Sequence, residues 1–116
     1  MNSEKNCLFC KIARGEIPST KVYEDDDVIA FNDIKPVAPV HVLVIPKKHI
    51  ADGALGISAE NSRYIAKVFE AIAQIAAQLE LQDGFRIVNN CGESAGQTVS
   101  HIHFHIIAGR QLKAMA

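Results

Sequence analysis

The sequence predicts an α+β fold: an antiparallel sheet with one long helix and a short N-terminal helix. Three observations predict it. Short β-branched runs separated by turn residues occupy the first part of the chain, a long stretch of helically spaced apolar residues fills the middle, and two more extended runs close it. Strands linked largely by short turns pair antiparallel, which leaves the single long helix to cover one face of the sheet.

The elements follow in order. Residues 7–14 end at Gly15 and read as one or two helical turns. Residues 21–24 and 28–33 read as strands, and the acidic run Asp25-Asp26-Asp27 between them suits a solvated hairpin turn. Pro36 and Pro39 break the chain before a third strand, residues 41–45, closed by Pro46. Residues 53–56 form a loop. Ser58 is placed to cap the next helix, and Glu60 in its first turn suits the helix dipole. From about residue 59 to residue 80, Ile65, Val68, Phe69, Ile72, Ile75, Ala76 and Leu79 share one face, which is expected to pack on the sheet. Gly84 restarts an extended run at residues 85–89, and after the loop 90–100 comes a last strand, residues 102–108. The other face of the sheet, or an edge strand, is left to join a second subunit.

At 116 residues the chain is sized for one domain, residues 1–116. A hydrophobic content of 48% spread along the whole length argues against disorder. The formal net charge of -1 argues against nonspecific binding to nucleic acid, which needs an excess of Lys and Arg. No apolar run approaches the length of a membrane span, and residues 1–11 lack the apolar segment of a secretory signal, so a cytoplasmic location is expected. In a reducing compartment Cys7, Cys10 and Cys91 read as thiols or metal ligands rather than as a disulfide framework.

Most of the chemical signal lies in Ser100-His101-Ile102-His103-Phe104-His105-Ile106-Ile107. Alternation along a strand sends His101, His103 and His105 to one face and Ile102, Phe104 and Ile106 to the other. Imidazole suits phosphate chemistry near neutral pH, because the neutral ring has a nucleophilic lone pair and the protonated ring donates to phosphate oxygens. A metal site and a plain polar sheet face are the rival readings of the same cluster. Cys7-x-x-Cys10 has structural-zinc spacing, but its other ligands are absent from the local sequence, and two free thiols on a short helix would look the same.

His101-Ile102-His103-Phe104-His105-Ile106-Ile107 resembles the histidine-triad motif. The resemblance extends to Phe9-Cys10-Lys11-Ile12, Gly15-Glu16-Ile17-Pro18, Ala30-Phe31-Asn32-Asp33-Ile34, the run Pro39 through His49, and Gly96-Gln97-Thr98-Val99. The ensemble looks closest to the Hint branch, whose members resemble adenosine 5'-phosphoramidate hydrolases. That resemblance implies a homodimer of HIT-like α+β subunits and a two-step reaction. His103 would attack the α-phosphorus of a purine nucleoside 5'-phosphoramidate, and water would then hydrolyse the nucleotidyl-histidine. It also implies that a backbone carbonyl beside the motif orients His103, that His105 binds a phosphate oxygen, and that His101 and His41 belong to the surrounding polar relay. Asn90, Gln97, Thr98 and the backbone near Gly96 would donate to the phosphate. Asp33, with Ile34 beside it in the motif, would meet the ribose, and Phe9, Ile12, Ile17 and Phe31 would sandwich the base. Many relatives with the N-terminal cysteine pair resemble zinc binders, and the matching ligands here are Cys7, Cys10, His49 and His101. No redox cofactor is implied.

The chain departs from the Hint pattern at Cys91, at Ala95 before Gly96, at Ala108-Gly109-Arg110, and in a short tail, residues 111–116, without tryptophan. The tail bears on leaving-group preference. Rival functions are a dinucleoside polyphosphate hydrolase, a nucleotide-binding regulatory protein with little turnover, and a zinc-stabilised interaction module.

Overall fold

The computed structural model describes residues 6–114; the start of the polar N-terminal segment and the end of the tail lie outside the described residues. The element order is α1 (Leu8–Ala13), β1 (Lys21–Glu24), β2 (Val28–Asn32), β3 (Val40–Pro46), α2 (Ser62–Gln78), β4 (Arg86–Val88) and β5 (Phe104–Ala108). The strands form one sheet in the order β1-β2-β3-β5-β4, with every neighbouring pair antiparallel. The fold is therefore α+β, with one long helix.

Alternation builds the two faces. Val28 and Ala30 of β2, Val42 and Val44 of β3, and Ile102, Phe104 and Ile106 pack with Val68, Ala71, Ile72 and Ile75 of α2. The opposite residues, Ile29 and Phe31, Leu43 and Ile45, pack with Cys7, Phe9, Cys10 and Ile12 from the α1 region. The histidines of the 101–105 run belong to this second face, which α1 covers only in part. The β1–β2 hairpin turns on Asp25, whose Oδ1 accepts the N–H groups of Asp27 and Val28 at 2.8 Å each. Such an Asx turn explains the acidic run without a cation.

Several boundaries differ from the sequence reading. The long helix starts at Ser62 rather than near Ala59, and Asn61, not Ser58, holds the N-cap position. Asn61 does not cap with its side chain. Its Oδ1 accepts from Ser58 N–H, and its Nδ2 donates to the carbonyls of Ile50 and Gly56, so it ties the preceding loop together. Phe69 and Leu79 were expected inside the apolar face, yet they are 45% and 38% exposed. The buried stripe is the narrower Val68, Ala71, Ile72 and Ile75, the i, i+3, i+4, i+7 set on one side of the helix. The last strand begins at Phe104 instead of Ile102. The backbone of residues 101–103 is satisfied by other partners: Ile102 N–H donates to Ala51 O at 3.0 Å, and Asn89 Nδ2 donates to His103 O at 2.8 Å.

Candidate functional site

Four buried or half-buried imidazoles sit on the α1 side of the sheet; main-chain partners fix the tautomers of His41, His101 and His103, and His41 fixes that of His105. Val37 N–H must donate to His41 Nδ1, at 3.1 Å, so neutral His41 carries its proton on Nε2. That proton points to His105 Nδ1 at 2.8 Å, with Asp33 Oδ2 3.4 Å from the same Nε2. His105 therefore accepts at Nδ1 and keeps its own proton on Nε2. His103 donates its Nδ1 proton to the carbonyl of His101 at 2.8 Å, which leaves its Nε2 lone pair unprotonated. His101 donates from Nε2 to Pro46 O at 2.8 Å and turns Nδ1 the other way.

Burial favours the neutral form of His101, His103 and His105. Burial pushes His105 down to about 4, and the nearby His103 and His41 push in the same direction. Burial also lowers His103, although its hydrogen bond to the His101 carbonyl works against that. Burial takes His101 down to about 4. A neutral ring with one nitrogen tied to a carbonyl is the form that can attack an electrophile.

His103 and His105 line a cavity of about 660 Å³. This volume lies in the usual range for small-molecule sites. Phe9, Ile12, Ile17 and Phe31 form its apolar wall, and Asp33, Ile34 and Thr98 also line it. The edge of the Phe9 ring meets Phe31 and His103, with centroids 5.6 and 5.0 Å away. Asn90, Gly96 and Gln97 are not among the lining residues. Asn90 Nδ2 donates to Ala95 O at 2.8 Å, and the N–H groups of Gly96 and Gln97 bond to the carbonyls of Glu93 and Gly92. Gly96 has φ of +90°, a conformation that favours glycine and closes this loop.

The second cluster is Cys7, Cys10, His49 and His101, whose ligand atoms all lie within 4.8 Å of one another. Cys7 Sγ is 3.2 Å from His101 Nδ1, and Cys10 Sγ is 3.4 Å from His49 Nδ1 and 3.5 Å from His101 Nδ1. A tetrahedral zinc ion with ordinary Zn–S and Zn–N bonds needs ligand separations of about 3.3–3.8 Å. The orientation also fits: His49 donates Nε2–H to Asp52 Oδ1 at 2.8 Å and His101 donates to Pro46, so both Nδ1 lone pairs face the cysteines. These four residues thus form a candidate structural zinc site. Asp33, His41 and His105 also lie close enough to hold a cation. The Val37 N–H opposes that use, because it forces the His41 proton onto the nitrogen that would have to bind metal.

Sequence reasoning missed Asn89, which holds the His103 carbonyl, and Asp52, which orients His49. Asp52 could have been found as the carboxylate three residues after a candidate ligand. Asn89 carries no signal beyond ending the strand beside β5.

The pattern of the HIT domain family matches residues 14–112. The chain belongs to the HIT family. Among its relatives, adenylylsulfatase HINT1 of Arabidopsis thaliana is 46% identical over 95% of this chain and 76% of the relative. The 14 kDa zinc-binding protein of Zea mays is 46% identical over 90% of this chain and 83% of its own length. A solved HIT family hydrolase from Legionella pneumophila superposes with a TM-score of 0.89 at 46% identity, covering 93% of this chain and 96% of that one. These matches place the chain in the Hint-like branch of HIT hydrolases, and the zinc-binding relative accords with the Cys2His2 geometry. No described helix is long and apolar enough to cross a membrane.

Proposed function

We propose that this HIT protein hydrolyses purine nucleoside 5'-phosphoramidates through a covalent nucleotidyl intermediate on His103. The observation that carries the reading is the hydrogen bond from His103 Nδ1 to the His101 carbonyl, which turns an unprotonated Nε2 toward a cavity the size of a nucleotide site. In the first step Nε2 bonds to the α-phosphorus, the P–N bond breaks, and the amine leaves with a proton drawn from solvent, while the neutral His105, held by His41, faces the phosphate with its Nε2–H. In the second step water attacks the phosphorus, the P–Nε2 bond breaks, and the proton lost by water passes to solvent. Phe9, Ile12, Ile17 and Phe31 hold the base, Asp33 meets the ribose with Ile34 beside it, and Thr98 and His105 meet the phosphate. Asn90 and Gly96 shape the loop beside Thr98. A zinc ion bound at Cys7, Cys10, His49 and His101 would supply structure, and His101 would present its carbonyl to the nucleophile from a fixed ring.

We further propose that the chain is a single HIT domain that works as a cytoplasmic homodimer. The exposed Phe85 and Ile87 flank or lie on the edge strand β4, Phe69 lies exposed on α2, and Leu79 is exposed at its C-cap. The adenylylsulfatase relative favours a second substrate, adenylyl sulfate, which the same attack would cleave with sulfate leaving.

The test compares product release from adenosine 5'-phosphoramidate, adenylyl sulfate and diadenosine tetraphosphate. Phosphoramidate is expected to turn over fastest, and His103→Ala to lose more than about a thousandfold in kcat. Faster cleavage of the dinucleotide, or a mutant that keeps most of its rate, overturns the reading.

A further inference from the structure

Gln97 lies between the Cys2His2 cluster and the cavity without lining the cavity, and its amide is fully engaged. A primary amide has two N–H donors and one carbonyl acceptor. Gln97 Nε2 donates to Asp52 O at 2.5 Å and to Val99 O at 2.9 Å, while its Oε1 accepts from Gly92 N–H at 2.8 Å. Its main-chain N–H closes back on Gly92 O at 3.1 Å. To donate to a phosphate, the side chain would have to abandon a carbonyl and leave it unpaired.

Each of the carbonyls it holds belongs to a loop that matters. Asp52 is the residue whose carboxylate fixes His49 with Nδ1 toward the cysteines. The neighbouring Ala51 carbonyl receives the N–H of Ile102, between His101 and His103. Val99 lines the cavity and packs against the α1 cluster. On the Gly53 side the amide is closely packed: a Cβ on Gly53 would lie 3.1 Å from Gln97 Oε1 and 3.2 Å from Cys91 Sγ.

We propose that Gln97 is a positioning residue that ties the loop carrying Asp52 to the loop walling the cavity. Through Asp52, Gln97 sets the ring of His49; through Val99, it sets the wall beside Thr98. Loss of a direct outer partner of a metal ligand, here Asp52, typically weakens metal binding about 10- to 100-fold, and Gln97 acts one bond further out, so its loss costs less.

The test uses the whole zinc-loaded chain and two variants. Gln97→Met keeps the length and removes all three bonds. Gly53→Ala leaves Gln97 chemically intact and crowds it; Gly53 has φ of -157°, so alanine suits the backbone. Zinc affinity is read by chelator competition, the cobalt-loaded protein by its visible spectrum, and AMP affinity by calorimetry. Gln97→Met is expected to bind zinc several-fold more weakly with a shifted cobalt spectrum, and Gly53→Ala to shift both in the same direction by less. Wild-type zinc affinity and cobalt spectrum in both variants would overturn the proposal. So would a tenfold loss of AMP affinity in Gln97→Met with zinc binding unchanged, which would make Gln97 a nucleotide ligand. The zinc and cobalt measurements involve no nucleotide, so a failure of the substrate reading leaves them decisive.

Discussion

In the neutral forms of His41, His103, His101 and His49, the nearest main-chain or carboxylate group decides which nitrogen carries the proton. Val37 N–H, the His101 carbonyl, the Pro46 carbonyl and the Asp52 carboxylate assign the tautomers of His41, His103, His101 and His49. The alternation that groups His101, His103 and His105 was legible in the sequence, because period-2 spacing needs no tertiary information. The tautomers were not, because Pro46 lies 55 residues from His101 and His41 lies 64 from His105. A pH dependence follows. Burial holds His103 below its ordinary value and His105 at about 4, so acid must go below about pH 6.5 before either ring is protonated. The acid limb of kcat/KM, corrected for uncatalysed hydrolysis, is expected below pH 6.5; a limb at or above that value contradicts the neutral-ring account. Stability has the same sign. A histidine whose folded value is depressed contributes fully above its unfolded value of about 6.5 and loses that contribution as pH falls toward 4.

At the scale of elements, the β-branched runs and the helical apolar stripe placed every strand and both helices. Their ends were harder to read. β5 is cut short because the His101 carbonyl is taken by a ring and the His103 carbonyl by Asn89, so neither joins the ladder. Phe69 and Leu79 carried the right period for the buried face but lie at its margin, where Phe69 meets the edge of Phe104 and stays half exposed. Their exposure, together with that of Phe85 and Ile87 at the β4 edge, supports the proposed homodimer. Sedimentation of the native chain is expected to give a dimer, and Ile87→Lys to shift it to monomer, because a charge on an edge strand blocks pairing. A native monomer, or a mutant that stays dimeric, contradicts that use of the edge.

Across the whole molecule, one residue joins the two clusters. His101 points Nδ1 at the cysteines and offers its carbonyl to His103, so metal binding and nucleophile orientation share a side chain and its peptide. The local sequence showed only the cysteine pair, and the family resemblance supplied its closure, since His49 and His101 come from the far end of β3 and the approach to β5. Because a preformed site exists only in the folded chain, bound metal adds its binding energy to stability. Chelation, or Cys10→Ser, is expected to lower Tm by about 10 °C; an unchanged Tm in zinc-containing protein contradicts a structural role.

The most direct test of the covalent account is to trap the intermediate. Protein in excess is mixed with adenosine 5'-phosphoramidate, quenched within one turnover and digested, and the adenylylated residue is located by mass spectrometry. The account predicts a single adenylyl group on His103 that disappears as AMP forms. Full AMP release with no adduct at any time, or an adduct on another side chain, would contradict it.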